Sequence, residues 1–210
     1  YSTRVKYETV YRTHLAEAVG NCQISADGIS EIQAKISDHL SKAELSESMR
    51  KSVYCVANKT LNFANRNYSA AVPLLEKPQT KYRKNPISAL SRTEQARLVT
   101  YLYGESDKFQ VAVLLCLYAG LRLGELCALK WSDLDFRDRT LTVNRTLQRI
   151  AVKGHASRTI LLETAPKSES SRRVIPLAKE TTELLQQLKK DMPYVFGGEK
   201  PLEPRTMQYR

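Results

Sequence analysis

Two cations in this chain stand where a fixed positive charge could do chemistry. Arg122 lies in Leu117-Tyr-Ala-Gly-Leu-Arg-Leu-Gly-Glu-Leu-Cys-Ala-Leu-Lys-Trp-Ser-Asp-Leu-Asp135, after an apolar run and just ahead of a second apolar stripe. Lys167 lies in Ala165-Pro-Lys-Ser-Glu-Ser-Ser171, a turn between two alternating segments. A guanidinium held by rigid surroundings presents a planar fork that suits phosphate or carboxylate oxygens. Arg122 could equally tie the elbow together through helix-end carbonyls, and the local residues leave its two readings open. A lysine at a turn, by itself, is more often only solvent-exposed. Glu125, one helical step after Arg122, is placed to orient the arginine or cap the helix rather than to move protons.

The elements that must hold these groups are mostly helical. Val111 to Ala119 is apolar throughout and reads as a buried helix, which Gly120 can end in a left-handed conformation. Leu126, Leu129 and Trp131 set the inner face of a second helix, with Trp131 a core anchor. Upstream, Thr3 to Gly20 reads as a helix with Tyr7, Tyr11, Leu15 and Ala18 on one face. Ile29, Ile32, Ile36 and Leu40 mark the next helix. Ser46 opens a third, with Met49, Val53, Val56, Ala57, Thr60, Leu61 and Ala64 inward. Ser91-Arg-Thr-Glu94 is a capping box and starts a new helix. The period then changes to two, over Thr140–Leu147, Arg158–Thr164 and Arg172–Leu177, which predicts three short antiparallel strands with Lys167 at a hairpin tip. Ala178 to Lys190 returns to helix through Leu184, Leu185 and Leu188. The fold class is therefore mainly α. A small helical bundle occupies 1–76, a linker 77–87, and a mostly helical domain with an inserted three-stranded antiparallel sheet 88–210.

Charge and composition narrow the partners. The chain of 210 residues holds 33 Lys+Arg against 22 Asp+Glu, a formal charge of +11. Residues 1–80 carry +2 of it and the remainder +9. Such an excess favours a polyanion, nucleic acid before an anionic membrane surface. Lys77, Lys81, Arg83 and Lys84 crowd a linker that also holds two prolines. A basic extended segment of this kind can follow a phosphate backbone, or serve as a soluble tether. Cys22, Cys55, Cys116 and Cys127 show no C-x-x-C spacing, so neither a metal site nor a disulfide framework is expected, and a cytoplasmic location is the default. The nine residues from Val111 to Ala119 are too few to span a bilayer. The chain opens on Tyr1, and its last helix, begun at Pro204, stops at Arg210; both read as marks of a piece of a longer protein.

Taken together, the elbow and the following strands resemble the tyrosine recombinase (phage-type integrase) family. Ala119-Gly-Leu-Arg-Leu-Gly-Glu-Leu-Cys-Ala-Leu-Lys-Trp-Ser-Asp-Leu resembles the family's first-arginine box, which implies that Arg122 is an active-site arginine with Glu125 supporting it. Thr164-Ala-Pro-Lys-Ser-Glu-Ser-Ser-Arg-Arg-Val-Ile-Pro-Leu resembles its second and third strands, which implies that Lys167 is the active-site lysine. The bundle is similar to the core-site DNA-binding domain, which extends the resemblance over essentially the whole chain. The resemblance implies DNA cleavage and rejoining through a 3′-phosphotyrosyl intermediate, without metal or other cofactor. It implies double-stranded DNA at core or attachment sites as the partner, copies of the chain assembling there as dimer to tetramer, and no membrane. The family's later His-x-x-Arg box and tyrosine nucleophile are not found in their places. His14, His39 and His155 lie upstream or in turns, and Tyr209 comes too early. The expectation is a truncated catalytic domain, in a fragment that binds DNA without cleaving it. The alternative is a non-catalytic DNA-binding regulator derived from a mobile element.

Overall fold

The computed structural model describes residues 2–77, 88–104, 107–152, 159–166 and 171–209. The chain divides into two compact units, Tyr1–Pro86 and Ile87–Arg210.

In the first unit the opening helix changes pitch. It runs as α1 (Ser2–Val10), a π turn (Tyr11–Leu15) and α2 (Ala16–Val19). In a π turn the hydrogen bonds close at i+5, so residues five apart lie over one another. Val10 and Leu15 are therefore both buried, at 3% and 2% exposure, while Tyr11 stands 43% exposed. This corrects the face expected for an uninterrupted α-helix, which had Tyr11 inward. In α3 (Ile29–Lys42), Ile32, Ile36 and Leu40 are buried at the expected spacing. The side chain of Ser46 accepts from the Met49 N–H and starts α4 (Glu47–Tyr68). Here Thr60 turns out to be exposed, and Tyr54 and Asn58 take core positions instead.

Asn58 has a specific task. Its amide accepts from the Leu75 N–H at 2.8 Å and donates to the Leu75 carbonyl at 3.0 Å. Asn65 treats Val72 in the same way, at 2.9 and 2.8 Å. Two side chains thus replace a strand partner for the extended segment after α4 and allow Val72 and Leu75 to be buried. Asn58→Ala leaves a buried N–H and a buried C=O without partners, and is expected to destabilise this unit by about 2–3 kcal/mol. Hydrogen exchange at the Leu75 amide measures it directly, and unchanged protection would refute the assignment.

The second unit begins with α5 (Arg92–Gly104), whose capping box forms as read, with the Ser91 N–H donating to Glu94 Oε2 at 2.8 Å. Its centre is α6 (Lys108–Ala119), where Val111, Ala112, Leu114 and Leu115 are fully buried. Gly120 ends α6 at φ 60°, the left-handed conformation expected there. Next come α7 (Leu123–Cys127), a 3-10 turn (Trp131–Asp133), the strands β1 (Leu134–Asp135), β2 (Thr140–Val143), β3 (Thr146–Ala151), β4 (Thr159–Thr164) and β5 (Arg173–Pro176), and the helices α8 (Lys179–Leu188) and α9 (Pro204–Gln208). Trp131 joins Leu126, Leu129, Leu141, Leu185 and Phe196 in the core, as an anchor.

A three-stranded antiparallel sheet is present, but its strands are β1, β2 and β5, with Leu141 opposite Ile175. A separate two-stranded ladder joins β3 to β4, from Thr146–Thr164 to Ala151–Thr159. The expected single strand over Thr140–Leu147 breaks at Asn144-Arg145. Both of those side chains turn to the buried Asp133 carboxylate, Asn144 Nδ2 at 3.3 Å and Arg145 through Nη1. The break sends β2 and β3 into different sheets. Hence β4 and β5 do not pair as a hairpin, and the segment carrying Lys167 connects two sheets rather than capping one ladder. Lys167 itself, with Lys81, Arg83 and Lys84, lies outside the described residues. Lys77 is described and exposed.

Candidate active site

The elbow is built by Gly120, whose left-handed turn ends α6 and lets α7 start within three residues. Arg122 is the residue ahead of α7, at φ −72° and ψ 149°. Glu125 folds back one turn, its Oε2 accepting from the Arg122 N–H at 3.0 Å and its Oε1 from Arg122 Nη1 at 2.8 Å. The side chain of Glu125 is 4% exposed and that of Arg122 is 71% exposed. A buried carboxylate therefore anchors a guanidinium that faces outward, which a rigid phosphate clamp requires.

Glu125 has a second arginine that the sequence reading quoted in a motif but gave no role. Arg173, on β5, places Nη2 at 2.8 Å from Oε2 and Nη1 at 3.3 Å from Oε1. It also donates to the Gly120 carbonyl at 3.2 Å and to the Ser171 carbonyl at 3.3 Å. The structural tie once considered for Arg122, bonding a helix-end carbonyl, is thus made by Arg173. Burial, the largest influence on Glu125, would raise its carboxyl. The hydrogen bonds from Arg173 and from the Arg122 N–H and side chain outweigh it and hold the pKa at about 2. Glu125 is an ionised anchor, unsuited to proton transfer near neutrality.

Next to the elbow, a polar group pins the ladder of β3 and β4. Lys130 Nζ meets Glu163 Oε1 at 3.1 Å, Arg145 Nε reaches the same oxygen at 3.3 Å, and the Tyr194 hydroxyl donates to Glu163 Oε2 at 2.8 Å. Burial and the bond to Glu163 both push the Tyr194 phenol up, so it serves as scaffold and not as a ready nucleophile. Burial, with smaller contributions from Cys116 and Glu203, likewise raises the Cys127 thiol to about 12, far from a reactive thiolate. Among the described residues no group of three or more His, Cys, Asp or Glu side chains could hold a metal. Among them, too, no helix is long and apolar enough to cross a membrane. His155-Ala-Ser-Arg158 spells His-x-x-Arg. It falls between β3 and β4, ahead of Lys167 and so outside the family's order, and it is not among the described residues.

The family model for the phage integrase family matches residues 89–208, which takes in the elbow, both sheets and α8. The chain belongs to the phage integrase family. Over 200 residues it is 28% identical to a tyrosine recombinase XerC-like protein of Caldanaerobacter subterraneus subsp. tengcongensis, covering 89% of this chain and 49% of that one. The Tn1549 transposon integrase, solved with transposon right end DNA, shares the fold at TM-score 0.69 and 20% identity, over 96% of this chain and 65% of its own. A lambda integrase dimer solved on a COC′ core site gives TM-score 0.54 at 17% identity, over 98% and 55%. This phage integrase family chain thus spans about half the length of its curated relative.

Proposed function

We propose that this chain is the DNA-holding part of a site-specific recombinase, which cleaves and rejoins strands through a 3′-phosphotyrosyl intermediate. The observation that carries the reading is the outward guanidinium of Arg122 on its buried carboxylate. Phosphoryl transfer spreads negative charge over the nonbridging oxygens. A cation already oriented toward them can lower the barrier by about 3–4 kcal/mol, on the scale of a lost oxyanion donor. Arg122 takes this role, Glu125 holds it in place, and Lys167 protonates the departing 5′ oxygen. Lys77, Lys81, Arg83 and Lys84 follow the backbone between a core-site-binding unit, 1–76, and the catalytic unit, 88–210. The partners are double-stranded DNA and further copies of the chain, dimer to tetramer on the site. The cytoplasm suits its four free cysteines.

The test is equilibrium binding to a DNA duplex across a salt series. Contacts to six phosphates would weaken binding about a thousandfold between 50 and 200 mM salt. A flat response would remove the reading. The same 210 residues are expected to form no covalent adduct on a nicked suicide duplex, because their sequence supplies no His-x-x-Arg box and nucleophile in the family's order. An adduct surviving denaturation would overturn that expectation. A non-catalytic regulator would bind with the same salt response, but a chain completed with a box and nucleophile would then show no cleavage, whereas in a recombinase the completed chain cleaves and substituting Arg122 and Lys167 abolishes it.

A further inference from the structure

The elbow holds one buried negative charge between two guanidiniums, and that balance decides what Arg122 has left to offer. Arg173 meets both oxygens of Glu125, while the side chain of Arg122 meets only Oε1. The side chain of Arg173 is 30% exposed and turned into the elbow, and its remaining bonds go to the Gly120 and Ser171 carbonyls. Arg122 is 71% exposed. We infer that Arg173 is a positioning residue whose charge offsets Glu125 and so leaves the charge of Arg122 available to a phosphate. The inference rests on the reading of Arg122 as a phosphate clamp.

The physical argument is a competition for one fork. A carboxylate with both oxygens unfilled is the best partner a guanidinium can find, because two parallel N–H···O bonds form at once. Without Arg173, Arg122 and Glu125 make a neutral pair, and the guanidinium gains by turning inward onto both oxygens. With Arg173 in place those positions are already occupied, the three groups together carry one positive charge, and the outward edge of Arg122 keeps its donors. Arg173 reaches Glu125 from a strand 48 positions further along the chain. The arrangement therefore exists only in the folded unit.

The experiment uses the 210-residue chain and a mixed-sequence DNA duplex, with affinity measured by fluorescence anisotropy over a range of salt. Arg122→Gln comes first. Loss of one phosphate contact lowers the log–log salt slope by about 0.9 and the affinity at 0.1 M salt about tenfold. If Arg122→Gln binds like the parent, the clamp reading itself fails. If it weakens binding as stated, Arg173→Gln is expected to do the same, and Arg173→Lys, which keeps the charge, to stay within about threefold of the parent. A role in packing alone predicts that Arg173→Lys binds as weakly as Arg173→Gln. Should Arg173→Gln fail to fold, Arg173→Met, which keeps the apolar stem without the charge, takes its place and is expected to weaken binding as Arg173→Gln would. Parent-like binding by a folded charge-free variant, or Arg173→Lys binding as weakly as that variant, would overturn the inference.

Discussion

Glu125→Ala is expected to lower the stability of the second unit by about 3 kcal/mol at pH 7 and to remove a share of its sensitivity to acid. The carboxyl sits at about 2 in the folded chain against an ordinary 4.5. Its contribution is therefore fully present above about pH 4.5 and is lost as the pH falls through 2. The parent should weaken over that window by the amount stated, and the variant should lack this component. Trp131 is the single tryptophan and lies in the core of the same unit, so its fluorescence in urea reports that unit alone. Equal midpoints for parent and variant at pH 7 would remove Glu125 from the account. The two arginines temper the loss. Arg122 is mostly solvated already, so the variant leaves only Arg173 partly buried without its partner.

Gly124→Ala is the second large effect, and its sign is informative. In an ordinary helix position the change would stabilise by about 1 kcal/mol. Here a Cβ would come within 2.6 Å of Thr146 Oγ1 and 2.7 Å of the Leu147 carbonyl. The hydroxyl can rotate away, but the carbonyl belongs to the β3 backbone, so α7 has to lift off the strand. The expected cost is about 2–3 kcal/mol, in the range of overpacked cores. Because Arg122 precedes α7 directly, the same shift moves the guanidinium, and DNA affinity should fall with stability. Urea titration followed through Trp131 checks the first effect and anisotropy the second. A variant more stable than the parent would show that the two backbones are not in contact.

What could be read from the sequence was what neighbouring residues decide among themselves. Gly120 ends α6, Ser91 and Glu94 cap α5, and the isoleucines of α3 face inward, because each depends on spacings of three or four residues. Membership of the family was legible for the same reason, since the box around Arg122 is contiguous. Arg173 escaped notice because its partner is 48 positions away and nothing in Ser-Arg-Arg-Val says which arginine points inward. The break between β2 and β3 was hidden likewise. Thr140–Leu147 alternates well enough for one strand, and only the buried Asp133 draws Asn144 and Arg145 out of line. The turn at Lys167 was then assigned to a hairpin because β4 and β5 are consecutive, whereas each pairs with an earlier strand.

The π turn at Tyr11–Leu15 bears on how this chain is compared with any other. Relative to a plain α-helix it contains one residue more, and each residue is worth about 100° of helical rotation. A relative without that residue buries its apolar side chain four positions before the equivalent of Leu15, not five. An ungapped alignment through the first helix would then match interior positions with surface ones throughout Ser2–Val10. Identity scored there understates kinship, and a single gap between Tyr11 and Leu15 restores the correspondence.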